Sequence, residues 1–246
     1  RDTIFFYNAI DATKIPLRQK PVKVEKEKFK PKKRGRPKKG ETREPKKPKI
    51  LEQQHQMQSV EEKLTLVSTD CGVGIKQNSK GNREVWIGGK LHISVVDGDI
   101  PVTAFYSAAN VHDSSVSLPL IQETSKRVNY LYDLQDAGYD ADIIREFSTA
   151  LGHRPIIDIN PKNSKELKVK IEVQKDEQKK FEMLSLVQSS DTHHYNQRSM
   201  VERVNKYLKE DFGCNTIYYQ GATKVASVLA FGILSVCIHQ SLKLVT

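Results

Sequence analysis

Apolar side chains open the chain. Residues 4–10 (IFFYNAI) form a β-rich run that stops at Asp11, the pattern of a largely buried strand with a carboxylate near its end. Residues 84–96 predict a second strand, Asp97-Gly98-Asp99 a hairpin turn, and residues 100–106 a third, so two antiparallel neighbours are expected. His112-Asp113-Ser114-Ser115 offers capping oxygens to a helix reaching about residue 126, with Val116, Leu120 and Ile121 at helical spacing. A fourth strand is predicted over 130–134, ahead of Asp136-Ala137-Gly138-Tyr139. A helix then begins at Asp140, which reads as its N-cap, and carries Ile143, Ile144 and Phe147 on one side. Residues 154–160 give a fifth strand. Residues 162–188 hold two competing patterns, strand-like alternation at Leu167, Val169, Ile171 and Val173 and the Lys/Glu density of a helix, and stay unassigned. The longest apolar run, 226–238, is interrupted by Ser227, Gly232 and Ser235 and falls short of the ~20 residues that span a bilayer, so it reads as a buried helix. Strands followed by strand–helix alternation and a long late helix make a mixed α/β layer arrangement.

Charge changes this picture in one place. The chain of 246 residues carries a formal charge of +10. Residues 14–49 alone hold 17 Lys/Arg against 4 Glu, with six of the ten prolines, so the remainder is slightly acidic. With almost no large apolar side chains, that stretch cannot bury enough surface to fold by itself. It reads as a disordered basic insertion after the first strand, an appendage for a polyanion. Three scattered cysteines, Cys71, Cys214 and Cys237, contain no CxxC pair and fit a reducing compartment, with no zinc ribbon or disulfide scaffold. His193-His194 lacks the ligand spacing of a zinc site. The first residue is Arg1, and strand-like sequence starts at once, so a further DNA-binding region is expected upstream.

The candidate chemistry concentrates in residues 195–209. On a helix at about 100° per residue, Tyr195, Arg198, Glu202 and Lys209 fall within one arc of roughly 60°, opposite Met200, Val201, Val204, Tyr207 and Leu208. Lys209 lies about 10 Å beyond Glu202 along the axis, a reach that suits a second phosphate of one nucleic-acid strand. Lys90 and His92 share a strand face and are further candidates for phosphate contact, or for solubility at a sheet edge. Asp11 lies at a predicted strand end, and Asp70, Asp97 and Asp133 are competing candidates.

The spacing Tyr-x2-Arg-x3-Glu-x6-Lys at Tyr195, Arg198, Glu202 and Lys209 resembles the signature of one branch of the DDE transposases of bacterial insertion sequences. Asn110-Val111-His112-Asp113-Ser114, Asp136-Ala137-Gly138-Tyr139-Asp140 and Phe231-Gly232-Ile233-Leu234 resemble blocks of the same family in the same order. The resemblance implies an RNase H-like fold, a five-stranded mixed sheet flanked by helices, formed by residues 1–13 and 60–246 with 14–59 as the basic linker. It implies Asp11, Asp136 and Glu202 as the metal-binding catalytic acids, holding two Mg²⁺ ions (Mn²⁺ being a substitute), since hard carboxylate oxygens suit such ions. It implies Tyr195, Arg198 and Lys209 as DNA contacts. The partners implied are element terminal repeats and target DNA, engaged by a homodimer in a synaptic complex, in a cytoplasmic, nucleoid-associated protein without a membrane. The reaction implied is strand cleavage to a 3′-hydroxyl followed by strand transfer; the alternative is an inactive transposase-derived protein that binds DNA through its basic segment. Within that segment, residues 31–40 (PKKRGRPKKG) resemble an AT-hook, with Lys33, Arg34, Arg36 and Lys38 as DNA-binding candidates for a narrow A·T minor groove or for phosphates alone.

Overall fold

The computed structural model describes residues 4–22, 48–77, 80–161, 164–185 and 190–245. The AT-hook-like stretch, with Lys33, Arg34, Arg36 and Lys38, lies outside the described residues.

The first apolar run becomes β1 (Ile4–Pro16), which continues three residues beyond the expected linker boundary, so Lys14 belongs to the sheet. Two short helices, α1 (Ile50–Gln56) and α2 (Val60–Thr65), precede β2 (Gly72–Gln77). Gln54 of α1 is buried and donates to the Ser115 carbonyl at 2.8 Å, which ties part of the expected linker to the body. The hairpin expected around Asp97-Gly98-Asp99 joins β3 (Arg83–Val96) to β4 (Ile100–Ala108). After α3 (Ser117–Arg127) come β5 (Asn129–Gln135), α4 (Asp142–Ala150) and β6 (Arg154–Ile157). The ambiguous stretch is a helix, α5 (Lys165–Ser185), none of whose side chains is buried, in keeping with its Lys/Glu density. The chain ends with α6 (Ser190–Asn196), α7 (Ser199–Glu210) and α8 (Ala222–Val245).

The sheet has six strands, one more than expected. Its path is β2-β3-β1-β5-β6, with β4 on the other edge of β3. Setting aside β2, which pairs only with the first part of β3, the order is β4-β3-β1-β5-β6, the first three antiparallel and the last three parallel. This mixed sheet flanked by helices is RNase H-like.

Strand alternation sorts the core into two layers. Ala9, Leu91, Ile93, Val95 and Leu134 face α7 and α8, meeting Val201, Val204, Leu208, Val225 and Leu229. Ile10 points to the opposite side, with Val116, Leu120, Ile121 and Ile144 beneath α3 and α4. Helix α8 approaches α7 closely at Gly232, where a Cβ would lie 2.5 Å from Cys214 Sγ and 2.8 Å from a Leu208 methyl. Contrary to expectation, α8 buries one face only. Phe231, Leu234, Ile238 and Leu242 are more than half exposed on the other.

Candidate functional site

The site is set by register. In the parallel pair β1/β5, Asn8 opposes Asp133, Ala9 opposes Leu134 and Ile10 opposes Gln135. Ala9 and Leu134 both face α7, so two residues further on Asp11 and Asp136 point the same way, at neighbouring positions where β5 ends. Asp136 caps the 3-10 turn Ala137–Tyr139, accepting from Gly138 N–H at 2.9 Å. Asp140, expected as a helix cap, instead accepts from Arg145 and from Asn160 N–H, both at 2.8 Å.

A buried lock on the far side of the sheet holds this register. Asn8 Nδ2 donates to Asp133 Oδ1 at 2.8 Å, and both residues are fully buried. Ser148 of α4 donates to the other oxygen of Asp133, Ser94 of β3 donates to Asn8 Oδ1 at 2.5 Å, and Thr124 of α3 donates to Ser94 at 2.9 Å. Each lock residue precedes a site acid by three positions. Asp133, a strand-end candidate in the sequence, is thereby structural, and burial raises its pKa. Asp97 accepts from Phe6 N–H at 2.5 Å and Asp70 sits in a turn with Ser68, so neither joins the site.

The signature residues are divided between two helices. Tyr195 belongs to α6, whose end is tightened by i→i+3 bonds from Gln197 to His194 and from Arg198 to Tyr195, and Arg198 caps α7. Within α6, the His194 ring stacks on Tyr132 at 4.6 Å and its Nδ1 meets the Tyr7 hydroxyl at 2.7 Å, which ties α6 to β1 and β5.

Arg198 is the electrostatic centre. Its guanidinium lies 3.1 Å from Glu202 and 5.6 Å from the Tyr195 ring centre. Burial works against its charge, yet Tyr195, Glu202, Asp11 and Asp136 around it outweigh burial and raise its pKa. Burial first, then the nearby Asp136, pushes Asp11 from its ordinary 3.8 to about 6, against the Ala12 N–H, Arg198 and Lys76. Tyr195 is pushed up to about 12 by burial and by Asp158 beside it. At the far end of α7, the Lys209 ammonium donates to the Thr13 hydroxyl, two residues beyond Asp11 on the same strand face.

Glu202 thus pairs with the Arg198 guanidinium, and the charges of Asp11 and Asp136 act on it as well. Among the described residues no three His, Cys, Asp or Glu side chains converge into a ready metal-ligand set, and Glu202 is turned toward Arg198. The donor set nonetheless suits a hard divalent cation, because Asp136 adds to the cost of charging the buried Asp11 and both offer oxygen ligands only. Buried polar atoms around them also lack partners among the described residues: Arg198 Nε, the Tyr139 hydroxyl and Asn205 Oδ1. Asn205, missed in the sequence reading, lies on the same helical stripe as Glu202 and Lys209, and its spacing alone could have revealed it.

Two other candidates have internal roles. His92 is fully buried against the Ser107 hydroxyl at 2.8 Å, and burial depresses its pKa to about 4. Lys90 donates to Asp113 at 2.8 Å and to the Val111 carbonyl.

Residues 8–238 match the family described as transposase DDE domain. The chain belongs to this family. No match is found among curated proteins or among solved structures. As a transposase domain the chain is of a class that acts on DNA with divalent metal ions, and its two strand acids and late helix occupy the parts of the RNase H-like sheet described above.

Proposed function

We propose that this chain cleaves DNA at the ends of an insertion sequence and transfers the freed 3′-hydroxyl to target DNA, as the branch with the Tyr-Arg-Glu-Lys signature. The observation that carries the reading is the register of β1 and β5, which turns Asp11 and Asp136 to the face covered by the Arg198–Glu202 end of α7. Asp11, Asp136 and Glu202 would hold the divalent cations, Mg²⁺ or Mn²⁺. When bound, such ions stabilise the charge that develops on attacking and leaving oxygens at phosphorus.

The protein's own groups do the rest. Arg198 exchanges its carboxylate partners for a backbone phosphate as a planar charged donor. Tyr195, its hydroxyl kept protonated at neutral pH, stacks on or donates to the DNA beside the cleaved bond. Lys209 fixes a phosphate further along the strand. The basic segment with Lys33, Arg34, Arg36 and Lys38 adds affinity for the duplex, and two copies of the chain bring two ends together in a homodimer.

The test is Mg²⁺-dependent nicking of a duplex bearing the element's own end. Glu202→Gln keeps shape and removes charge, so cleavage collapses while DNA binding survives. Cleavage that persists in Glu202→Gln would overturn the mechanism. A wild type that binds DNA without cutting would instead favour a DNA-binding remnant.

A further inference from the structure

Beside the acids, the sheet carries an arm that neither the signature nor the family frame assigns. It consists of β2 and the first part of β3, paired from Gly72 opposite Gly88 to Gln77 opposite Arg83. The arm bends at Gly88, whose φ is +150° and where a Cβ would lie 2.2 Å from the Ile15 carbonyl. That bend lets Glu84, six residues beyond the nearest strand partner of Lys14, reach the Lys14 ammonium.

Two pairs of contacts flank this end of β1. Lys76 opposes Glu84 across the arm and Glu84 pairs with Lys14, while Lys209 of α7 donates to Thr13, the residue before Lys14. The charges of Lys14 and Lys76 both bear on Lys209, so ammonium groups from three separate elements lie near one corner. Among the described residues the ion pair formed there is Lys14 with Glu84, and Lys209 rests on a neutral hydroxyl. Burial, then Lys14 and Lys76, lowers the Lys209 pKa despite Asp11 and Glu84 nearby. Three ammonium groups stand there against one ion-paired carboxylate, Glu84. Like charges gathered against a strand edge gain most from an anion with several oxygens.

We propose that Lys14, Lys76 and Lys209 form a phosphate-binding corner beneath the arm, which grips the sugar–phosphate backbone of bound DNA on the side of Asp11 remote from Tyr195. Arg198 and Lys209 stand about 16 Å apart along α7, a span of roughly five nucleotides of one strand at 3.4 Å each. The corner thus extends the proposed DNA path of the transposase past the reacting phosphate, and this inference rests on that reading for the path but not for the chemistry.

The experiment measures binding of the full chain to a short DNA duplex of arbitrary sequence as a function of salt. Each lost phosphate contact should reduce the slope of log affinity against log salt by ~0.9. Lys76→Ala and Lys14→Gln should each do so, the double variant should lose twice as much, and Lys76→Arg should retain the wild-type slope. Lys206→Ala, on the outward side of α7 beside Glu210, is the control and should leave the slope unchanged. Thermal melts establish that the variants are folded; Lys76 is exposed on an edge strand, so its variant tests the corner even where Lys14→Gln loosens the arm. A slope unchanged in Lys76→Ala, or a loss confined to Lys14→Gln, would overturn the corner. Because the slope requires no cleavage, failure here is separate from failure of the proposed strand-transfer chemistry, which Glu202→Gln tests by nicking.

Discussion

Replacing Asp11 by Asn should stabilise the metal-free protein at neutral pH, an unusual outcome for a residue placed at the centre of a reaction. The folded state raises the Asp11 pKa from 3.8 to about 6, chiefly by burial and then through Asp136. Between those values the folded chain holds a proton that the unfolded chain has released. Stability from this group is therefore present below pH 3.8 and lost as pH rises through about 6, opposite to an ion-paired carboxylate. The full loss corresponds to about 3 kcal/mol, an upper figure because Asp11 keeps part of its surface in water. Thermal denaturation of wild type and Asp11→Asn in chelator should show little difference near pH 4 and a variant melting ~4–12 °C higher at pH 7.5. Millimolar Mg²⁺ should stabilise the wild type and narrow the gap, by mass action on the folded state. A variant no more stable than wild type at pH 7.5, or a difference that ignores pH, would refute the idea that two crowded carboxylates await a cation.

Asp133→Asn turns an amide N–H₂ toward Asn8 or Ser148, both donors, and should cost ~1–3 kcal/mol by urea denaturation; Asn8→Asp in the same chain should add a buried charge and deepen the loss. Gly88→Ala should strain the bend of the arm by about 1–3 kcal/mol, and increased hydrogen exchange of β2 should report it before the β1/β5 pair responds. Deleting residues 23–47, with their 13 Lys/Arg, should flatten the salt dependence of DNA binding, and Arg36→Ala should weaken A·T-rich duplexes more than G·C-rich ones if the segment enters a minor groove.

Much of the sheet was legible in the chain because its strands are short apolar runs closed by turn residues; β1, β3, β4, β5 and β6 all follow such runs. The exception, β2, reads GVGIKQ, too few apolar positions to register against its glycines, and it exists because β3 supplies a partner. The stripe of Arg198, Glu202 and Lys209 was legible from spacing, whereas the break between Asn196 and Ser199 was not, and neither were the contacts of His194 with Tyr7 and Tyr132 from distant parts of the chain. Likewise His92 reads as a surface residue beside Lys90 until β4 brings Ser107 over it. Local patterns record what a residue's own strand or helix requires; they carry little about side chains whose partners arrive from elsewhere.

The Asn8–Asp133 lock separates the acids' geometry from the length of chain between them. Two intervals of three residues, Asn8 to Asp11 and Asp133 to Asp136, fix where the carboxylates point, while the length of the connection that follows β1 bears on them only through loop closure. Doubling a flexible connection costs only about 0.6 kcal/mol, whereas sliding one strand by one residue turns every side chain to the wrong face. Such a molecule accepts a long foreign segment directly after its first strand, and inserted or deleted residues there leave the acids in place. A single added residue between positions 8 and 11 would move Asp11 from the helix α7 side to the α3 side and abolish the pair.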